Sequence, residues 1–446
     1  MIFLKKAYNI LLQNPVRNLL IYAVLLRVLV FVFYHAITIF PDTEDYVKLA
    51  SFIGNLSLDN YTGERTPGFP SFIALVGQNL YITVFLQVIL GIVCTYLLYD
   101  FCWMKSKNKH LAFITAFVTT SFLHVVFYEF AILTESLAYT LMVLAFWFIE
   151  KYKLLEVSAS VKNLFILSLI LSALYLTRPL FIYFPIGYSL YFTVKNFKVN
   201  TKAVIIKAVI ILIIPVFSFY SWNSLNKRNI GYFTSSYYLG INLAQTATSF
   251  FEKAPDEHHV IRDIFVKHRR YVVENEPDYQ YPMTVWYAYD ELIETTQLSP
   301  PELSNQLGQI SINLFKEYPG LYLKQVFISW KDFWGGTSTL LWNVDKFELK
   351  LIRKSLVGLW NYIQKPALVL INMLFLIFAF KKGIVALKRK LRVLDSDLFL
   401  VLIILSGSLA QALVAYGTNS RFCFPYFALI VYFVISNIFS FKNSKS

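Results

Sequence analysis

The sequence predicts an all-α polytopic membrane protein with about ten transmembrane helices and a mainly helical domain outside the membrane. Three observations carry that expectation. Of 446 residues, 57% are hydrophobic and 15% charged, and the mean hydropathy is +0.53. The apolar residues come in runs of about 20, the length at which a helix crosses roughly 30 Å of hydrocarbon. The basic residues gather in alternate connections between those runs, as cytoplasmic loops require.

In chain order the runs lie at about 19–40, 80–103, 111–128, 131–150, 163–178, 180–194, 204–222, 366–380, 397–416 and 422–441. The sixth is short and contains Pro185. The first is longer than the apolar core of a signal peptide and lacks a small-residue cleavage site, so it is expected to remain as an anchor. An even number of spans puts both termini on one side. That side holds segments 1–18, 105–110, 151–162, 195–207, 381–392 and 442–446, with 21 of the 41 basic residues. The positive-inside rule makes it cytoplasmic. The net charge of +14 is explained by these loops, and no nucleic-acid partner is expected. Cys94, Cys102 and Cys423 lie in or beside apolar runs, which argues against a disulfide framework.

This topology divides the chain into an N-terminal transmembrane module, 1–222, an extracytoplasmic domain, 223–365, and C-terminal transmembrane helices, 366–446. The first outer loop is 41–79. Within the domain, SPPE at 299–302 reads as a capping box, with Leu303, Leu307, Ile310 and Leu314 at helical spacing behind it. A second apolar pattern follows Pro319. His258, His259 and His268 lie in a charged stretch that reads as a surface helix, without tetrahedral metal spacing. No internal repeat of the transporter kind is evident.

Charges at the outer ends of the spans are costly, and they point to function. The stretch PDTEDYVKLA, 41–50, sets Asp42, Glu44 and Asp45 just beyond the first span. Spacing three puts Asp42 and Asp45 on one helical face, where a carboxylate pair can accept a proton or hold a divalent ion. Asp42, after Pro41, also reads as the N-cap of a helix over 43–53. Glu135, with Glu129 nearby, Arg65, Arg178 and Arg421 fall on the same side. The arginines suit a lipid phosphate, or snorkel to ordinary headgroups. Arg27 lies inside the first span, facing the bundle, with no assigned role.

The acidic cluster, ERTPGFPSFIAL (64–75), ILTESLAYTLMVLAF (132–146), LYLTRPLFIYFP (174–185) and NSRFCFPYFALI (419–430) together resemble membrane-embedded glycosyltransferases of the GT-C superfamily. Within it the chain is most similar to bacterial protein O-mannosyltransferases and lipid A aminoarabinose transferases. The resemblance covers spans 19 to about 194 and the last two spans. It implies a multi-pass enzyme of the bacterial cytoplasmic membrane with an extracytoplasmic active site. The enzyme would move a hexosyl or pentosyl group, with inversion, from a polyprenyl-phosphate donor to a hydroxyl on a glycan, lipid or protein. Asp42 matches the family's essential aspartate, with Glu44 and Asp45 in place of its acidic pair. Glu135 matches an acidic position at the start of the fourth span. Arg65, Arg178 and Arg421 match arginines at the donor phosphate. No cofactor or resident metal is implied, although some members of the superfamily use a divalent cation. A transporter or flippase, or a polymerase, for lipid-linked saccharides is the competing expectation.

Overall fold

The computed structural model describes residues 12–335, 346–389, 394–417 and 419–443. The protein is an all-α polytopic membrane protein, and among the described residues no strand forms. The chain begins with α1 (Pro15–Tyr34), α2 (Pro41–Gly54), α3 (Gly68–Ala74), α4 (Leu80–Ser106), α5 (Lys109–Ser121) and α6 (Leu123–Glu129). There follow α7 (Glu135–Lys151), α8 (Val161–Thr177), α9 (Tyr183–Asn196) and α10 (Thr201–Ile230). Outside the bundle lie α11 (Tyr238–Ala247), α12 (His259–Asn275), α13 (Thr284–Thr296) and α14 (Pro300–Glu317), and α15 (Pro319–Trp334) leads back to it. The last spans are α16 (Lys350–Lys388), α17 (Ser396–Val414) and α18 (Ser420–Ser440).

Six helices, α1, α4, α10, α16, α17 and α18, are long and apolar enough to cross a membrane, and α5 with α6 makes a seventh bent by 60°. The other three expected runs form shorter helices: α7 and α8 have 17 residues each, and α9 has 14. The breaks have local causes. Pro179 drives Arg178 into an extended conformation (φ −145°, ψ 115°), which ends α8. At the α5–α6 bend the Leu123 amide leaves the helix ladder and donates to Gln364 Oε1 at 2.7 Å.

The bundle turns apolar side chains outward, as a lipid solvent allows. On α1, Leu25, Leu29 and Phe31 are exposed, and on α10 Ile205, Val209, Val216 and Phe217 are exposed. One end of the bundle is tied by lysines from the basic connections. Lys105 reaches Asp397 at 2.8 Å, Lys382 reaches Asp395 at 2.6 Å and Lys195 reaches Glu156 at 2.7 Å. Helix α7 starts with Glu135 at the opposite end and finishes among these lysines, a span of about 25 Å at 1.5 Å per residue.

A second core lies outside the bundle. Ile241, Ala244, Phe251, Phe265, Leu292, Leu303, Leu307, Ile310 and Leu314 pack together in it. The capping box forms as expected, with the Ser299 amide donating to Glu302 Oε2 at 2.9 Å. Helix α10 runs eight residues beyond the expected boundary at 222, to Ile230. At the other edge α16 begins at Lys350, not 366, and passes through a π turn at Trp360–Gln364. Helix α15 belongs to the bundle: Phe333 and Trp334 lie in its core, and Trp330 Nε1 donates to Ser408 Oγ at 3.1 Å. Residues 336–345 of the expected domain lie outside the described residues.

Arg27 and Glu129 form one buried node inside the bundle. Arg27 Nε and Nη2 donate to the two Glu129 carboxylate oxygens at 2.7 and 2.5 Å, and both side chains are 2% exposed. Gln87 Nε2 from α4 donates to the carbonyls of Glu129 and Ala131, both at 2.9 Å. Gly91 makes room for the pair, because a Cβ there would overlap Glu129 Oε1. Removing one member strands a buried charge, at a cost of about 3–5 kcal/mol. Arg27→Leu is therefore expected to lower the detergent melting temperature sharply, and the Arg27→Leu/Glu129→Leu double variant to recover much of the loss. Thermal melts of the three proteins check this.

Candidate functional site

The site is built where α2 meets the turn before α7. Thr38 and Ala131 form a parallel bridge, with the Thr38 amide donating to Phe130 O at 2.9 Å and the Ile132 amide to Thr38 O at 3.1 Å. Helix α2 then starts at Pro41. Thr43 supplies the cap: its hydroxyl accepts the Phe40 amide at 3.0 Å and donates to Ile132 O at 3.0 Å. This corrects the expectation that Asp42 is the N-cap. Asp42 is in the first turn, where the helix dipole favours a carboxylate, and its side chain is released to the site.

Arg65 is delivered by the turn before α3. The Tyr61 hydroxyl donates to Arg65 O at 2.6 Å and accepts the Arg65 amide at 2.7 Å. Gly68 lets this turn lie directly on the end of α8, since a Cβ there would come within 2.5 Å of Leu176 C. Arg178 stands just past that helix end, and Arg421 in the first turn of α18.

These elements produce a chain of alternating charges. Tyr238 Oη donates to Asp45 Oδ2 at 2.9 Å. Arg65 Nε donates to the same oxygen at 3.0 Å, and Arg65 Nη2 to Asp42 Oδ1 at 2.7 Å. Arg421 Nη1 donates to Asp42 Oδ2 at 2.9 Å, and Arg421 Nε donates to Glu135 Oε1. Arg178 Nη2 donates to Glu135 Oε1 at 2.5 Å and Arg178 Nε to Thr134 Oγ1 at 2.7 Å. Asp42 is thus the midpoint, with Arg65 on the side of the outer core and Arg421 on the side of the spans. Three carboxylates face three guanidiniums. The Arg65 guanidinium also lies 4.8 Å from the ring centres of both Tyr46 and Tyr238. Arg178 Nη1 is buried with no partner among the described residues.

The two aspartates differ electrostatically. Burial pushes the Asp42 carboxyl up, but Arg65 and then Arg421 outweigh it and hold Asp42 well below the usual carboxylate range. At Asp45 burial prevails over Arg65 and Tyr238, and its pKa is raised. Asp42 is therefore held as an anion by its clamp, while Asp45 takes a proton more readily.

Six of the seven expected site residues, Asp42, Asp45, Arg65, Glu135, Arg178 and Arg421, come together. Glu44 does not. Two positions along a helix is a turn of about 200°, so Glu44 is exposed on the far face of α2. Glu129 is held by Arg27 inside the bundle and takes no part. Tyr46, Thr134 and Tyr238 were not singled out in the sequence. Tyr46 was within reach of the pattern, four positions after Asp42 on the same face. Nothing local marks Tyr238, which arrives from the outer core 193 positions from Asp45. His268 pairs with Glu291 at 2.7 Å in that outer region.

Guanidinium groups occupy the two central carboxylates. Both oxygens of Asp42 and of Glu135 already accept from guanidinium groups, and the cluster has no excess negative charge. Among the described residues no three His, Cys, Asp or Glu side chains are grouped to hold a metal.

No family profile and no curated protein matches the chain in sequence. Among solved structures it is similar to the archaeal oligosaccharyltransferase AglB from Archaeoglobus fulgidus, in complex with an inhibitory peptide and a dolichol-phosphate. The TM-score is 0.47 and the identity 10%, over 96% of this chain. The chain spans 50% of that structure's length.

Asp42 and Asp45 have opposite linkage. Stability from Asp42 is present above the unfolded value of about 3.9 and is lost as pH falls through its lower folded value. Asp45, with a raised pKa, favours folding more as it protonates, a gain that is lost as pH rises through its folded value. Asp42→Asn is therefore expected to lower stability at pH 7 by about 1–3 kcal/mol. Asp45→Asn is expected to leave it unchanged or higher, and its difference from wild type to shrink toward pH 4. Melting curves between pH 4 and 8 check both signs.

Proposed function

We propose that the protein is a glycosyltransferase that takes a sugar from a polyprenyl-phosphate donor and passes it to an acceptor hydroxyl. The observation that carries this reading is the position of Asp42 between two arginines, one facing the spans and one facing the outer core. Guanidinium groups that sit on carboxylates in bidentate geometry are equally suited to phosphate oxygens. Arg178 has an unpartnered, buried nitrogen as well. A lipid-linked phosphate reaches such a site from the membrane, and that accounts for placing it at the ends of spans. The basic connections at the other end favour a cytoplasmic location for them and for both termini. The charge cluster then lies on the outer face, in keeping with the resemblance to enzymes of the bacterial cytoplasmic membrane.

The mechanism follows from the clamp. In the free protein Asp42 is too well paired to act as a base. Arg421 and Arg178 exchange carboxylate oxygens for the donor phosphate, and Asp42 loses half of its clamp. Its proton affinity rises toward what general base catalysis needs. The acceptor oxygen attacks the anomeric carbon from the side opposite the phosphate. The sugar–oxygen bond breaks, its electron pair leaves with the polyprenyl phosphate, and the hydroxyl proton passes to Asp42. Arginines at the departing phosphate stabilise the charge that develops there. A single displacement inverts the anomeric centre. Asp45 and Arg65 orient Asp42 and the acceptor from the other side.

Transfer from radiolabelled polyprenyl-phosphate sugars by the purified protein tests this reading. Wild type is expected to release label from at least one donor with chelator present. Asp42→Asn is expected to be slower by about 10²–10⁴-fold, the usual weight of acid–base catalysis. Arg421→Lys is not expected to rescue Arg421→Ala, because an ammonium cannot bridge two oxygens in a plane. Folded wild-type protein that releases label from no donor contradicts the proposal and favours transport of the lipid-linked saccharide.

A further inference from the structure

Beyond Arg65 the charge chain ends on aromatic rings from the outer core. Tyr238, whose hydroxyl holds Asp45, packs edge-on against Trp286 with ring centres 5.5 Å apart and planes at 78°. Trp286 also lies 5.6 Å from Tyr289, yet it is 39% exposed. A tryptophan left open beside a charge cluster differs from the exposed apolar side chains of the spans, because its helix, α13, lies outside the bundle. The support beneath it is fixed to the site. The Tyr237 amide donates to Gly63 O at 2.9 Å, and Ser236 Oγ donates to Glu64 O at 2.5 Å.

Two carboxylate oxygens near these rings lack donors among the described residues. The Asp45 contacts from Arg65 and Tyr238 all fall on Oδ2, and among the described residues Oδ1 has no hydrogen-bond partner. Glu64, whose side chain is 7% exposed, holds Lys48 at 2.8 Å through Oε1. Its Oε2 is buried without a partner among the described residues. An ionised carboxylate only accepts, so each open oxygen calls for a ligand O–H or N–H.

We infer that Trp286 and Tyr238, with Asp45 and Glu64, form the acceptor subsite, and that the acceptor presents a sugar ring. The inference rests on the transferase reading. A pyranose combines an apolar C–H face, which lies against an aromatic ring, with a rim of hydroxyls that donate to carboxylates. The order along the site assigns it to the acceptor and not the donor. Arg178 and Arg421 stand at the ends of the bundle helices α8 and α18, and from Asp42 the chain runs on through Arg65, Asp45, Tyr238 and Trp286 toward the second core. A lipid-borne donor comes from the first direction, and an acceptor in water comes from the second. Both meet at Asp42.

Saturation-transfer difference NMR on the full chain in detergent tests this without requiring turnover. The probes are methyl glucoside, galactoside, mannoside and N-acetylglucosaminide, and separately a serine-containing hexapeptide. At least one glycoside is expected to give a signal, strongest from the protons of one ring face. In Trp286→Ala that signal is expected to fall about fivefold, the scale of one aromatic contact, and in Trp286→Tyr to persist. Matching melting curves establish that the variants are folded. Absence of any glycoside signal, a signal unchanged in Trp286→Ala, or a Trp286-dependent signal from the peptide alone overturns the inference. Wild type that takes glycosides yet releases label from no lipid-linked donor upholds the sugar subsite and overturns the transferase reading instead.

Discussion

The arrangement depends on one interaction: the carboxylate of Asp42 held from both sides by Arg65 and Arg421. The two arginines come from the turn before α3 and the start of α18, and each reaches Asp42 from its own element. Buried ion pairs are weak sources of net stability, because desolvation consumes most of the attraction. Their value lies in alignment. A string of alternating charges can be satisfied in few ways, so it fixes the ends of α2, α7, α8 and α18 relative to one another. It also holds the site in a neutral, self-paired form.

Small backbone devices make that alignment possible. The Thr38–Ala131 bridge and the Thr43 hydroxyl tie the start of α2 to the start of α7. Pro179 stops α8 so that Arg178 turns toward Glu135 and does not continue a helix. Gly68 allows the Arg65 turn to touch the end of α8. Below them, the Arg27–Glu129 pair joins α1 to α6 within the apolar bundle. It anchors the segment that carries Thr134 and Glu135 into the site.

Much of this was legible in the sequence, because the relevant signals are local. Hydrophobic runs and the placement of lysines define the spans and their two ends. Spacing three puts Asp42 and Asp45 on one face. The alternation of ends brings Arg178, Arg421 and Glu135 to the same side as that face. What was not legible depends on partners remote in the chain. Glu44 looked equivalent to its neighbours until the helix phase turned it to solvent. Asp42 looked like a cap because nothing in PDTED reveals that Thr43 takes that task. Arg27 and Glu129 are 102 positions apart, and each alone is a charge without a role. Tyr238 and Trp286 reach the site through the packing of the outer core, which no short pattern encodes.

The central claim is that Asp42 and the donor phosphate compete for the same arginine. Binding of polyprenyl phosphate without a sugar tests it most directly, compared between wild type and Asp42→Asn in folded protein at neutral pH. Competition predicts that Asp42→Asn binds the phosphate several-fold more tightly although its transfer is slowed. Equal or weaker binding by Asp42→Asn contradicts the exchange and leaves the clamp as structural support alone.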